Sequence, residues 1–225
     1  VENARAAFAA EGREGFVALD LGPTGKLLQP FGDLPFEEAV ALYAQQVKAG
    51  AAAGADLIGV ETMSDAYEAK AAMLAAKENA DLPFVCTFTF DQDGKLLSGA
   101  DVTAALATAE ALGAAAVGFN CGLGPDQLIQ LVPQALQAVD IPLVMNPNAG
   151  LPVEENGHTV FHIGPEDYAP LMVPVAELGV AVLGGCCGTT PQHIAQLVAA
   201  CRDLPLPPRK QRPQRHCRLW QCRGL

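Results

Sequence analysis

Six short apolar runs alternate with helical patterns along this chain of 225 residues. The runs start about 27 to 41 residues apart and cover residues 16–22, 57–62, 84–90, 115–121, 142–148 and 180–187. Alanine-rich segments with apolar residues at helical spacing lie at residues 36–53, 65–79, 101–112 and 125–139. A last helix is expected from Pro191, with Thr190 as its N-cap. The spacing fits a strand, a loop, a helix and a return, so the sequence predicts a repeated βα unit.

Reactive or polar side chains end nearly every predicted strand. They are Asp20, Glu61, Thr89, Asp91, Asn120, Cys121, Asn146, Asn148, Cys186 and Cys187. Two architectures fit βα repetition, an open doubly wound sheet and a closed barrel. The open sheet concentrates its chemistry at one switch point, often with a Gly-x-Gly-x-x-Gly turn after the first strand, and the sequence has no such turn there. Polar groups at the carboxyl ends of many strands instead predict an α/β fold of the (β/α)8 TIM-barrel class.

Only six of the eight βα units of such a barrel are visible in the sequence. The chain begins at Val1 with a helical pattern and no preceding strand, so we expect a barrel truncated at its N-terminus that lacks the first two βα units. The barrel domain is expected to cover residues 1–204. Residues 205–225 form a basic tail rich in proline and arginine, which we expect to be disordered. An arm for nucleic-acid binding or localisation is the alternative, and Cys217 and Cys222 give only a weak metal-pair pattern there.

Charge and hydropathy argue against two classes of partner. The chain has 25 acidic and 14 basic residues, and the tail holds six of the basic residues and no acidic one, so the acidic body lacks the basic footprint that nucleic-acid binding requires. No apolar stretch reaches the roughly 18 residues of a membrane span, and no signal-peptide pattern opens the chain. We therefore expect no membrane partner and a cytoplasmic location.

Seven cysteines without a signal peptide argue against a disulfide framework. Three of them, Cys121, Cys186 and Cys187, end predicted strands, and thiolates favour zinc. A zinc ion with three protein ligands keeps a fourth position for a substrate, as catalytic sites do. The alternatives for the adjacent pair are two half-buried structural cysteines or a vicinal disulfide. Cys86 and Cys201 are expected to be small buried or half-buried residues.

A metal shared by Cys186 and Cys187 requires the chain to leave the regular strand, because neighbouring strand residues point to opposite faces. Gly184, Gly185 and Gly188 are expected to give that freedom. Three thiolates give the zinc complex a net negative charge, which makes it a poor Lewis acid for water but a good holder of an incoming thiolate. The predicted chemistry is alkyl transfer to sulfur.

Several motifs carry a resemblance to a known family. They are Gly118-Phe-Asn-Cys121, Asn146-Pro-Asn-Ala-Gly150, Gly184-Gly-Cys-Cys-Gly-Thr189, Leu21-Gly-Pro-Thr-Gly25 and Val60-Glu-Thr-Met-Ser-Asp65. The first three, in this order and spacing, resemble the homocysteine-binding domain of homocysteine S-methyltransferases, closest in style to that of cobalamin-dependent methionine synthases, and the last two add further agreement. The resemblance implies a (β/α)8 barrel, zinc on Cys121, Cys186 and Cys187, the homocysteine amino group at Glu61, and an asparagine of segment 146–148 beside the metal. The family's Asp-Gly-x-Met-Gly-like and Asn-Thr-Phe-like segments do not occur in this sequence.

Five residues are predicted to bind the substrate: Glu61, Asn120, Asn148, Asp20 and Thr189. Glu61 is expected to pair with a substrate ammonium group or, alternatively, to cap the helix that follows. Asn120 either orients backbone near the metal or satisfies a turn. The amide oxygen of Asn148 is expected to occupy or border the open coordination position. Backbone N–H groups near Thr189 and Thr190, at a helix start, are expected to receive the carboxylate.

Other candidates are weaker. The segment Gly22-Pro-Thr-Gly-Lys26 lacks the pattern of a phosphate loop, so a strand-to-loop turn is the expected structure. His158, His162 and His193 have a side chain that often binds zinc, but their positions favour solvent or capping roles.

The sequence therefore leads to the hypothesis of a zinc-dependent methyltransferase that transfers a methyl group to the thiol of L-homocysteine and yields methionine. Zn²⁺ is the expected cofactor, and the methyl donor is methylcobalamin on another domain or protein, S-methylmethionine or betaine. One alternative is a non-catalytic truncated barrel whose zinc is structural or absent. Another is a thiol-redox protein, which predicts a disulfide between Cys186 and Cys187.

Overall fold

A computed structural model describes residues 1–205 of the chain. The predicted tail beyond Pro205, with Cys217 and Cys222, lies outside the described residues. The strands are β1 (Ala18–Leu21), β2 (Leu57–Met63), β3 (Phe84–Phe88), β4 (Ala116–Asn120), β5 (Leu143–Asn146), β6 (Val153–Glu155), β7 (His158–Val160) and β8 (Val182–Leu183). The helices are α1 (Glu2–Ala10), α2 (Phe36–Ala52), α3 (Ala66–Asn79), α4 (Val102–Leu112), α5 (Pro125–Leu128), α6 (Val132–Ala138), α7 (Pro165–Leu178) and α8 (Pro191–Cys201).

Six strands form one parallel sheet in the order β1-β2-β3-β4-β5-β8. Each strand lies beside the one before it in the sheet, so the first and last strands are at the two edges. A doubly wound sheet would reverse its order at a switch point and place β1 inside. The sequential order is that of a (β/α)8 barrel, and residues 1–205 supply six of its βα units. The predicted fold class is confirmed.

Small residues let the helices pack closely on this sheet. Helix α3 buries five alanines, Ala69, Ala71, Ala72, Ala75 and Ala76, and packs between α2 and α4. Asp65 begins this helix, because its carboxylate accepts hydrogen bonds from the N–H groups of Tyr67 and Glu68. Asp101 begins α4 in the same way, through the N–H of Ala104 at 2.8 Å. Among residues 1–205, no helix combines the length and the apolar character needed to cross a membrane.

Strands β4 and β5 approach each other so closely that one position requires glycine. A Cβ added at Gly118 would lie 1.8 Å from the carbonyl oxygen of Val144. Gly118 pairs with Val144 in the parallel ladder, and Asn120 pairs with Asn146 two residues later. The close approach therefore brings the carboxyl ends of the two strands together, where the candidate site lies.

The structure differs from the sequence pattern at several boundaries. Strand β8 contains only Val182–Leu183, although the apolar run covers residues 180–187, and β5 ends at Asn146. The predicted helix at 125–139 is divided by a 3-10 turn at Ile129–Leu131, because Pro133 near the start of α6 lacks the N–H that a continuous helix uses.

Helix α7 and the β6–β7 hairpin are not part of the predicted pattern. Helix α7 contains Pro170 and Pro174, and prolines inside a helical pattern normally end it. The hairpin turns at Asn156 and Gly157, which both have positive φ. Both elements lie between β5 and β8, so they belong to the connection that precedes the last strand of the sheet.

Candidate metal centre

Three cysteine sulfurs converge beyond the carboxyl ends of β4 and β8. The Sγ atoms of Cys121 and Cys187 are 3.7 Å apart, those of Cys186 and Cys187 are 3.9 Å apart, and all three lie within 4.8 Å of one another. Sulfurs bound to one tetrahedral zinc ion at about 2.3 Å would lie roughly 3.8 Å apart. The chain thus brings three soft donor atoms to a spacing that would fit one zinc ion. The 3.9 Å between the adjacent sulfurs is far longer than a disulfide bond of about 2.05 Å, so these are free thiols.

The adjacent cysteines lie in a turn after β8 and not on the strand. The N–H of Cys186 donates to Pro147 O at 2.8 Å, and the N–H of Ala149 donates to Cys187 O at 2.9 Å. The turn is therefore bonded to the segment that follows β5. Gly188, with φ of +79°, lets the chain turn back after the cysteines.

The other two glycines near the pair have a different role from the predicted one. Gly184 and Gly185 are not among the residues with positive φ. A Cβ at Gly184 would lie 2.5 Å from Asn146 Oδ1, and a Cβ at Gly185 would lie 2.5 Å from the Thr189 side chain. These glycines therefore allow close approach of neighbouring groups, whereas only Gly188 supplies the special backbone conformation.

Cys121 follows β4 in the left-handed conformation, with φ of +59°. Its N–H donates to Asn146 O at 3.1 Å. A non-glycine residue in this conformation costs about 1–2 kcal/mol. The strained backbone turns the thiol of Cys121 out of the strand direction and toward the turn that carries the other two cysteines.

The three neighbouring thiols shift one another's pKa in opposite directions. A hydrogen bond from Cys186 lowers the pKa of Cys121 to about 5. The same hydrogen bond, with burial, raises the pKa of Cys186, and burial raises the pKa of Cys187. The shifts favour a negative charge on Cys121, and a divalent cation would compensate the charge if all three thiols were ionised.

Two buried asparagines contact the triad. Asn148 accepts a hydrogen bond at its Oδ1 from the N–H of Cys187 at 3.1 Å, and its side chain also hydrogen bonds to the Cys121 thiol and helps lower its pKa. Because Asn148 Oδ1 already accepts this hydrogen bond, the arrangement favours the prediction that Asn148 borders the open coordination position over the prediction that its amide oxygen occupies it. The second amide, Asn120, donates from Nδ2 to Cys186 Sγ at 3.8 Å.

A pair of carboxyl groups lies on the neighbouring strands. Glu61 on β2 is half-buried, and Asp20 on β1 is exposed and hydrogen bonds to it. Burial, followed by the charges of Asp20 and Cys121, raises the pKa of Glu61. The predicted alternative role of Glu61 as a helix cap is not needed, because Asp65 itself caps α3.

The N–H groups of Thr189 and Thr190 already have partners. That of Thr189 donates to Cys186 O at 3.2 Å, and that of Thr190 donates to His193 Nδ1 at 3.1 Å. The carboxylate contact expected near Thr189 is therefore not available in this arrangement. Thr190 does begin α8 as its N-cap residue, with Pro191 directly after it, as predicted.

The three histidines among residues 1–205 lie outside the cysteine triad. His193 is buried, and its Nε2 lies 2.9 Å from Ile163 O, so the ring donates there and accepts from Thr190 at Nδ1. Both ring nitrogens are thus used inside the chain. His158 is exposed on β7, and the exposed His162 has its Nε2 3.1 Å from Glu155 Oε1.

Comparison with known proteins identifies the family. The sequence model described as Homocysteine S-methyltransferase matches residues 1–201. The chain belongs to the homocysteine S-methyltransferase family. The resemblance carried by the cysteine and asparagine motifs is thereby confirmed.

Relatives of this homocysteine S-methyltransferase family member include much longer proteins. The methionine synthase of Mycobacterium leprae is 32% identical over 210 residues, which are 89% of this chain and 17% of that protein. The methionine synthase of Mycobacterium tuberculosis is 31% identical over 204 residues, which are 88% of this chain and 17% of that protein. The chain therefore spans about a sixth of the length of these curated relatives.

A solved structure shares the fold. The homocysteine methyltransferase MmuM from Escherichia coli, in its apo form, superposes with a TM-score of 0.70 at 25% identity, covering 88% of this chain and 68% of that one. Its metallated form gives the same TM-score and identity and is covered to 66%.

One supporting residue of this homocysteine S-methyltransferase domain was not predicted from the sequence. Tyr168 is fully buried, and its hydroxyl lies 2.8 Å from Gly184 O and 3.2 Å from Pro147 O. It therefore connects the segment after β5 to the turn that carries two cysteines. No motif marks this tyrosine, and its helix α7 is concealed by two prolines.

Proposed function

We propose that this domain binds zinc through Cys121, Cys186 and Cys187 and transfers a methyl group to the thiol of L-homocysteine. The observation that carries the proposal is the sulfur spacing of 3.7 and 3.9 Å, which fits one tetrahedral zinc ion with its fourth position left for a substrate sulfur. Membership of the homocysteine S-methyltransferase family supports the substrate and the reaction.

The chain's own residues have distinct roles in this proposal. A bound zinc ion would favour loss of the proton from an incoming thiol and keep its sulfur nucleophilic. Asn148 holds the backbone of Cys187 beside the open coordination position, because its Oδ1 accepts a hydrogen bond from the Cys187 N–H. Glu61, assisted by Asp20, binds the substrate ammonium group, because a cation between two close carboxyl groups relieves their repulsion.

The transfer itself moves a methyl group between two atoms. The bond from the donor atom to the methyl carbon breaks, the sulfur of homocysteine forms a bond to that carbon, and methionine is the product. The donor is methylcobalamin on another domain or protein, S-methylmethionine or betaine. Assays with each of these three donors separate them.

Zinc content and homocysteine binding test the proposal together. The wild-type chain should bind about one zinc ion, and L-homocysteine should change the absorption of the Co²⁺-substituted protein, because a new sulfur joins the metal. Cys186→Ser should weaken zinc binding by more than the roughly 10–100-fold typical of a change outside the ligand set. Cys201→Ser is the matched control, since Cys201 is a half-buried thiol outside the triad and should leave zinc binding unchanged.

Two outcomes would contradict the proposal. Equal zinc affinity in Cys186→Ser and wild type would exclude the triad as the metal site. A metal spectrum that does not respond to homocysteine would instead support the non-catalytic barrel with structural zinc.

Glu61→Gln should raise the dissociation constant of homocysteine and leave that of zinc unchanged, and its failure to do so would remove Glu61 from the ammonium site.

A further inference from the structure

One buried amide contacts both halves of the proposed substrate site. Asn120, at the end of β4, is 1% exposed. Its Oδ1 accepts from the Thr62 N–H and from the Thr87 hydroxyl, each at 2.8 Å. Its Nδ2 donates to Thr62 Oγ1 at 2.7 Å and to Cys186 Sγ at 3.8 Å. All four hydrogen-bonding positions of the amide are thus used.

Two of these four contacts hold a strained residue. Thr62 has a φ of +61°, in the left-handed region that β-branched residues rarely adopt. Such a conformation persists only where the surroundings fix it, and here Asn120 bonds to both the N–H and the hydroxyl of Thr62. Thr62 directly follows Glu61, so the amide fixes the strand end that carries the proposed ammonium partner.

The remaining Nδ2 contact reaches a proposed metal ligand. The N–H···S bond to Cys186 joins β4 to the turn after β8. Groups that bond to a metal ligand from outside orient it and tune its charge. One rigid side chain therefore spans from the end of β2 to the metal site.

We propose that Asn120 is a positioning residue that fixes the separation between the metal and Glu61 and so selects the chain length of the thiol amino acid. The inference rests on the proposed function, in which the substrate sulfur binds the metal and its ammonium group binds Glu61. A thiol amino acid one methylene shorter, L-cysteine, cannot satisfy both contacts when that separation is fixed. Loosening the end of β2 should let the shorter chain fit.

Isosteric variants separate this role from a general loss of stability. Thr62→Val removes the hydroxyl that accepts from Nδ2, and Thr87→Val removes the hydroxyl that donates to Oδ1. Both changes keep the side-chain shape and remove one hydrogen bond to the same amide. Only Thr62→Val loosens the strand end beside Glu61. Asn120→Ala removes all four contacts, and if it fails to fold, the pair of threonine variants decides alone.

The experiment measures dissociation constants of L-homocysteine and L-cysteine by calorimetry on the full zinc-loaded chain, and zinc affinity with a chromophoric chelator. One methylene is typically worth roughly 10–200-fold in selectivity, so wild type should prefer homocysteine in that range. Thr62→Val and Asn120→Ala should lower this preference at least threefold, and Thr87→Val should retain it. Zinc affinity should fall about tenfold in Asn120→Ala and stay unchanged in both threonine variants.

The possible failures are distinguishable. An unchanged homocysteine preference in Thr62→Val and Asn120→Ala, beside normal wild-type binding, overturns the inference and leaves the proposed function intact. An equal loss of preference in Thr62→Val and Thr87→Val also overturns it, because the effect would then be general. Failure of wild type to bind either thiol overturns the proposed function and this inference with it.

Discussion

Replacement of Tyr168 by phenylalanine should weaken metal binding without disrupting the fold. The tyrosine is fully buried on α7, and burial raises the pKa of its hydroxyl, so it stays a donor at neutral pH. The single hydrogen is donated to Gly184 O at 2.8 Å, with Pro147 O further away at 3.2 Å. The ring also contacts His193 edge-on at 5.4 Å between centroids, and phenylalanine keeps this contact.

The magnitude follows from one partly buried carbonyl, Gly184 O, which loses its donor, whereas Pro147 O still accepts from the Cys186 N–H at 2.8 Å. A buried carbonyl that loses its hydrogen bond costs about 1–3 kcal/mol of unfolding free energy. Gly184 lies two residues before Cys186 in the segment that leads into the cysteine turn, so part of this loss should appear in metal affinity. Changes in the groups that support metal ligands typically weaken binding by roughly 10–100-fold. We therefore expect Tyr168→Phe to raise the zinc dissociation constant within that range.

Tyr43→Phe provides the matched control. Tyr43 is 2% exposed, and its hydroxyl lies 3.0 Å from Glu68 Oε1 and 3.2 Å from Gly22 O, with no contact to the cysteine turn. Chemical denaturation of the metal-free proteins should show a loss of stability in both variants. Competition with a chromophoric chelator should show weaker zinc binding in Tyr168→Phe alone. Wild-type zinc affinity in Tyr168→Phe, or an equal loss in both variants, would refute the reasoning.

Three further predictions concern the scaffold. Gly118→Ala should cost about 3 kcal/mol or more of unfolding free energy, measured by denaturant titration, because its Cβ would overlap the backbone of Val144. Asp56→Asn should have a lower Tm than wild type at neutral pH. The difference in Tm should close as the pH falls through the pKa of Asp56. Arg5 lowers this pKa, so the stabilisation that the charged carboxylate gives the folded state is lost when Asp56 is protonated. Glu68→Gln should lose about 1–2 kcal/mol in the same denaturant titration, since its Oε1 accepts three hydrogen bonds that are stronger to a charged oxygen.

The architecture was predictable because two independent patterns agree. Buried parallel strands are short apolar runs, such as 57–62 and 84–90, and each is followed by a segment with helical periodicity. Polar side chains at successive strand ends then favour a barrel over an open sheet, and the sequential strand order confirms this. Strand lengths were not predictable at residues 180–187, because the apolar run continues past the point where pairing with β5 ends.

The convergence of the three cysteines was predictable from the sequence, but the backbone that shapes the site was not. Cys121, Cys186 and Cys187 stand out by residue type, and parallel strands bring their ends to one edge of the sheet. The left-handed backbone at Thr62 and Cys121 has no local signal, since neither residue type favours it. These conformations are fixed by contacts between distant segments, which a pattern along one chain does not contain.

The cysteine spacing is supported from one place in the chain, because all three cysteines bond to the same segment at the end of β5. The N–H groups of Cys121 and Cys186 donate to backbone carbonyls of segment 146–149, and the N–H of Cys187 donates to a side chain of that segment. Segment 146–149 therefore acts as a template for the sulfur positions. The same segment holds the left-handed backbone of Cys121 through the bond to Asn146 O, so we expect a metal ion that enters to need little reorganisation of the ligands. A site built this way should keep its ligand geometry when metal is removed, and its affinity should depend on the groups that hold the template.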